Sequence, residues 1–297
     1  MGQSIPTNAD EFIEQQLDIR IAAIQTAMQA DCIALSGPLF NGVDDLLREE
    51  VEGLKKRGKK QKQKLVVILT TPGGSVEVTQ RIAETLRQHY ETIDFIVPNS
   101  AFSAGTVLVM SGDAIHMDYY SRLGPIDPQV LNKDGKWVPA LGYLEKYKSL
   151  VGKAEKGLLT PAEAQLLVDG FDQAELYQYE QARDLSVALL KEWLVKYKFK
   201  DWTLTETRKM TVTQAMKEQR AEEIARQLNE TERWHTHGRG ISRKVLETDL
   251  NLRVNDLEAD AALHRKIRNY HALLADYMVK RRTRGVIHRQ AAYQPFM

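Results

Sequence analysis

Thr70-Thr71-Pro72-Gly73-Gly74-Ser75 follows the apolar run Leu65-Val66-Val67-Ile68-Leu69, and Ala101-Phe102-Ser103-Ala104-Gly105-Thr106 follows a second run, Ile93-Asp94-Phe95-Ile96-Val97. Runs this apolar suit parallel strands covered on both faces. Each turn leads into a helical pattern. Val78, Ile82 and Leu86 recur four apart after the first, and Ala104 to Met110 reads as a helix after the second. Ala114-Ile115-His116-Met117 then starts another short strand. The β-α-β-α-β alternation predicts an α/β fold whose parallel sheet has right-handed crossovers.

The two turns carry the chemistry. Adjacent glycines after a buried strand let the backbone approach a ligand and turn N–H groups into a cleft. Such donors stabilise the oxyanion of a tetrahedral intermediate by about 3 kcal/mol each. An ordinary strand-to-helix turn would use the same Pro-Gly-Gly. Ser103 stands at a helix start, where the dipole favours a developing alkoxide, although serine is also a common N-cap. Both turns belong to the C-terminal edge of neighbouring parallel strands, where open α/β sheets bind ligands. No Gly-Lys-Ser/Thr follows the glycines and no G-x-G-x-x-G is present, so this is not a phosphate loop.

Outward from this centre, residues 8–30 form an amphipathic helix with Ile13, Leu17, Ile21 and Ile24 at helical spacing, and Cys32-Ile33-Ala34-Leu35 is a buried strand ended by Ser36-Gly37-Pro38. A helix from Asn41 gives way to the basic run at residues 55–64, which reads as a solvated loop. Lys133-Asp134-Gly135-Lys136 reads as an exposed turn. Thr160-Pro161-Ala162-Glu163 combines an N-cap, a first-turn proline and a capping-box glutamate. The helix it opens is expected to reach about Tyr197, with Leu167, Phe171, Ala174, Leu185 and Leu189 inward. Further helices are expected over Thr213–Leu228, after Ser242, and over 256–284, with the last dozen residues loose.

Bulk composition excludes several classes. The 297 residues carry 41 Lys+Arg against 40 Asp+Glu, so no global field marks the chain for nucleic acid. One cysteine, Cys32, rules out an internal disulfide and fits a reducing compartment. There is no signal-peptide pattern and no apolar run long enough to cross a bilayer, which points to a cytoplasmic protein without a transmembrane segment. No metal or other cofactor is called for. His235 and His237 could form a metal pair, but no third ligand accompanies them in sequence. Asp127, in Gly-Pro-Ile-Asp-Pro, reads as a turn-forming residue.

TTPGGSV, AFSAGT and LGPIDPQ together resemble the ClpP/crotonase-fold serine peptidases, specifically the signal-peptide-peptidase A and serine dehydrogenase proteinase group. CIALSGPLFNGVDDLL is similar to the first strand, Gly-Pro turn and helix of that fold. The resemblance spans residues 32 to about 255. It implies a ClpP/crotonase-like peptidase domain with a largely helical second half (31–255), to which the residue patterns add an N-terminal helical arm (1–30) and a C-terminal helix and tail (256–297). It also implies Ser103 as nucleophile, an oxyanion hole at Gly73, Gly74 and Ala104, a peptide or protein substrate, and a homo-oligomer.

The base is less direct. No histidine occupies the window about two dozen residues after Ser103 that ClpP proteases use. The signal-peptide-peptidase A pattern instead places a lysine base at Lys148, in Glu145-Lys146-Tyr147-Lys148. A lysine near pKa 10.4 can accept a proton at neutral pH only if burial lowers it by about 3–5 units. His237 is an alternative base or groove residue, in HGRGISRKVLETDLNLRV, which aligns with the segment that closes the fold. The expected function is a serine endopeptidase with a Ser103–Lys148 dyad. A crotonase-like acyl-CoA enzyme and a non-catalytic ClpP-fold scaffold are the other two readings.

Overall fold

The computed structural model describes residues 6–55, 63–127, 129–131 and 137–297. Most of the basic run after Leu54 and the turn at Lys133–Lys136 lie outside the described residues. Twelve strands are described: β1 (Asp31–Ser36), β2 (Lys64–Thr70), β3 (Thr92–Ile96), β4 (Ser100–Ala101), β5 (Ala114–Met117), β6 (Arg122–Leu123), β7 (Gln129–Leu131), β8 (Trp137–Pro139), β9 (Ile241–Ser242), β10 (Asn255–Asp256), β11 (Gly285–Arg289) and β12 (Ala292–Phe296). The helices are α1 (Ala9–Met28), α2 (Val43–Lys55), α3 (Val76–His89), α4 (Ala104–Val109), α5 (Ala140–Glu155), α6 (Pro161–Asp169), α7 (Gln173–Trp193), α8 (Gln214–Leu228), α9 (Thr231–Trp234), α10 (Arg243–Thr248) and α11 (Ala261–Arg281).

The main sheet has the order β10-β5-β3-β2-β1-β11-β12. The first five are parallel, as the alternation predicts. The apolar runs are unbroken because successive residues feed different cores. Leu65, Val67 and Leu69 enter one core with α3 and α8, while Val66 and Ile68 enter the other with α1 and α11. Ile33 and Leu35 divide from Cys32 and Ala34 in the same way.

Two segments depart from expectation. The helix opened at Thr160 does not run through to Tyr197. The capping box forms, but α6 ends at Gly170, Asp172 caps a fresh helix, and α7 passes into a π-helical turn at Leu194–Lys198. The inward residues are accordingly Leu176, Tyr179, Leu190 and Trp193 with Leu189, while Ala174 is exposed. The final residues are not loose. β11 pairs antiparallel with β1, and β12 with β11, burying Val286, Ile287 and Phe296.

A second, small sheet of order β4-β6-β9 sits at the C-terminal edge of the parallel strands. It is tied down by polar contacts as well as packing. Thr106 Oγ1 lies 2.8 Å from the Ala101 carbonyl and 2.9 Å from that of Gly124, and accepts from the Gly124 N–H at 3.0 Å. Asp118, buried just before β6, accepts from the N–H groups of Tyr120 and Ser121 and pairs with His264 at 2.8 Å and with Arg268, both on α11. Burial pushes the Asp118 carboxyl up, but hydrogen bonds from His264 and Ser121 and the Arg268 charge outweigh it and leave it lowered.

Three outcomes are expected. Asp118→Ala should lower the free energy of urea unfolding by about 2–3 kcal/mol, because two backbone donors lose their acceptor and Arg268 its partner. The Asp118 contribution should be complete above the unfolded carboxylate value of roughly 3.9 and disappear as pH falls through the lower folded value. A variant with unchanged urea midpoint would show that the α11 tie is dispensable. Removing residues 285–297 uncovers the whole edge of β1, and circular dichroism and gel filtration of that truncation should show loss of the cooperative fold or aggregation.

Candidate functional site

The two turns identified from sequence lie side by side. Thr71 joins them: its N–H donates to the Ser100 carbonyl at 2.9 Å, and its own carbonyl accepts from the Phe102 N–H at 3.0 Å. Gly73 has φ +102, and a Cβ added there would come within 2.8 Å of the Ser103 Cβ and 2.7 Å of the Phe102 carbonyl oxygen. Gly74 has φ +153 and bridges to Leu39, where a Cβ would strike the Leu39 carbonyl. Only glycine allows both turns to close together like this.

Within this pair the backbone donors differ. The Gly73 N–H donates to Thr71 Oγ1 at 3.0 Å. The N–H groups of Gly74 and Ala104 donate to no protein acceptor among the described residues. Of the three positions expected to form an oxyanion hole, two therefore keep a donor for a ligand. Gly73 contributes shape: its place against Ser103 leaves no room for a side chain.

Ser103 is not an ordinary N-cap. Ser75 and Ser242 accept from the N–H three residues on, at 3.1 and 3.4 Å, whereas the Ser103 side chain makes no capping bond. Its backbone has φ 53 and ψ −122, a left-handed conformation outside the usual wells for a residue with a Cβ. Such strain costs about 1–3 kcal/mol and persists where surrounding structure enforces it. The neighbouring Phe102 packs against Gly124, whose missing side chain makes the space.

Lys148 and His237 have contrasting surroundings. Lys148 lies on α5, which turns Leu144 and Tyr147 toward Leu176, Tyr179 and Phe171. Lys148 itself faces solvent, so it lacks the burial that a lysine base requires. His237 is half-buried, and its Nδ1 is 2.9 Å from Asp127 Oδ1. Asp127 is 1% exposed, and its Oδ2 has no hydrogen-bond partner among the described residues. His235 is exposed with φ 62, and no cluster of three or more metal-ligating side chains occurs among the described residues.

The His237–Asp127 pair follows from strand register. β6 and β9 pair antiparallel with Leu123 opposite Ile241, and Asp127 and His237 lie in the loops that follow β6 and precede β9, each four residues in sequence from that pair. β4 runs parallel to β6 with Ala101 beside Leu123, and Ser103 follows two residues later. Ser103 and the loops that carry the pair therefore leave the same end of this small sheet. Sequence reading assigned Asp127 only a turn-forming role. Its one local signal was a carboxylate enclosed between prolines in an apolar loop.

Residues 33–208 match the model of the ClpP-like SDH-type serine proteinases. Two uncharacterized proteins of Methanocaldococcus jannaschii are similar in part: MJ1495, 33% identical over 40% of this chain and 38% of its own, and MJ0137, 42% identical over 22% of each. The chain thus spans well under half the length of these curated relatives. Two solved structures of a membrane-bound stomatin-specific protease, one a variant with a substrate peptide, superpose with a TM-score of 0.32 each. They are 18% and 16% identical, over 56% of this chain and 70% and 74% of theirs. Because the matched segment covers more than half of the sequence and contains both turns and Asp127, the chain belongs to the ClpP-like SDH-type serine proteinase family.

Proposed function

We propose that the protein is a serine peptidase in which Ser103 is the nucleophile, His237 the general base and Asp127 the group that orients it. The observation that carries this reading is the hydrogen bond between buried Asp127 and half-buried His237, in loops that leave the same end of the small sheet as a strained, uncapped serine. A carboxylate can only accept, so the proton of the pair resides on His237 Nδ1 and leaves Nε2 as the basic nitrogen. Base and orienting acid in these roles define a catalytic triad irrespective of chain order, here Ser, Asp, His.

In the proposed reaction Ser103 Oγ attacks the scissile carbonyl carbon while its proton passes to His237 Nε2. The carbonyl π pair moves to oxygen, where the Gly74 and Ala104 N–H groups stabilise it. Collapse breaks the C–N bond, and His237 gives the proton to the leaving amine. Water then attacks the acyl-serine, yielding its proton to His237, and the ester bond breaks as Ser103 is reprotonated. Asp127 keeps its negative charge throughout and stabilises the imidazolium.

The test is labelling by a fluorophosphonate probe, with hydrolysis of an unstructured casein substrate as a second measure. Ser103→Ala should abolish labelling. His237→Gln and Asp127→Asn should each slow labelling and hydrolysis by about 10²–10⁴-fold. Lys148→Ala should leave both within about twofold, as expected of a solvated surface residue. Loss of labelling in Lys148→Ala with His237→Gln unaffected would overturn the assignment of the base in favour of the lysine. Persistent labelling in Ser103→Ala would remove the nucleophile and the reading with it.

A second substitution probes the scaffold. Thr106→Val keeps the volume but strips the hydroxyl that links Ala101 and Gly124. Thermal or urea unfolding should show a loss of about 1–3 kcal/mol. The labelling rate should fall as well, because the register of β4 on β6 positions Ser103 relative to His237.

A further inference from the structure

A cleft of about 900 Å³ opens at the other edge of the main sheet, where β5 begins at Ala114. One wall is the end of the π-helical turn at Lys198, followed by Phe199 and Trp202; the facing wall includes Leu252 and Arg253. The Ser103 site lies beyond the opposite ends of the parallel strands, so this cleft takes no part in the proposed hydrolysis. Its size is within the range of small-molecule sites, and π-turns are uncommon and frequent at functional positions.

Most of the charged groups here are already committed. Asp113 is held by Arg87 at 2.8 Å and by Lys200, Glu247 by Arg243 at 3.3 Å, and Arg220 by Glu223 at 2.7 Å. Asp201 and Glu206 are exposed to water. Lys198 and Arg253 form no ion pair among the described residues. Lys198 is half-buried. Burial first, then the Arg253 guanidinium, lower its ammonium to about 8, against the opposing pull of Asp94 and Asp113.

Two cations that line one cleft, Lys198 half-buried and Arg253 exposed, repel each other, and a doubly charged anion near both relieves the repulsion. A guanidinium and an ammonium lining the same cleft suit phosphate oxygens, the first as a planar fork and the second as a point charge. Beside them, Phe199 and Trp202 pack edge to face at 5.6 Å, which provides an apolar, aromatic surface for the rest of a ligand.

We propose that this cleft binds an organic phosphate, its phosphate between Lys198 and Arg253 and its planar portion against Trp202. Isothermal titration of the full chain with adenosine 5′-monophosphate, inorganic phosphate and adenosine tests it. The monophosphate is expected to bind at one site, more tightly than inorganic phosphate, with adenosine giving no saturable heat. Arg253→Gln and Lys198→Met should each weaken the monophosphate by at least about tenfold. Arg253 is exposed and its replacement leaves the core intact, so that variant decides the matter even if Lys198→Met is poorly folded. Absence of monophosphate binding at millimolar concentration, equal affinity in Arg253→Gln, or adenosine binding as tightly as its phosphate would each overturn the proposal.

Discussion

The contact between the two turns is the constraint on which the site depends. Thr71 is bonded through both its N–H and its carbonyl to the strand that delivers Ser103, and Gly73 presses directly against that serine. A side chain at Gly73 would separate the turns, and separation would free Ser103 to relax toward an ordinary N-cap. The left-handed backbone at Ser103 is therefore a product of tertiary structure. The main sheet, with apolar residues on both faces, supplies the rigidity needed to hold it.

The small β4-β6-β9 sheet contributes a different kind of order. Its strands are two residues long, too short to be stable alone. They keep their register because Thr106 pins Gly124, Asp118 anchors the approach to β6 on α11, and Phe102 fills the space above Gly124. This register carries Asp127 opposite His237. A pair separated by 110 positions in sequence thus becomes a 2.9 Å hydrogen bond through a few local contacts.

How much could be read from sequence divides along the same line. The strands around Leu65–Leu69 and Ile93–Val97, the glycine turn and Ser103 were legible because local composition and hydrophobic period determine them. So was the cap at Thr160. The break at Gly170 was not, since apolar spacing continues past it while Asp172 offers a competing N-cap. The fate of residues 285–297 depends on β1 needing a partner, a demand far away in the chain. Lys148 drew attention through a local pattern, but the exposure of α5 at that point is set by how Tyr147 and Leu144 pack. Asp127 and His237 belong together through a strand pairing that no local window contains.

β1 is made well before its antiparallel neighbour, since Ser36 pairs with Val286, far later in the chain. During synthesis, then, β1 can pair with β2 long before β11 exists, leaving a hydrogen-bonding edge open until β11 emerges. Closing a contact of such separation is slow, and an open edge is a template for pairing with other chains. The sheet is completed from its two sides at very different times. The docking of the β11–β12 hairpin is what covers that edge.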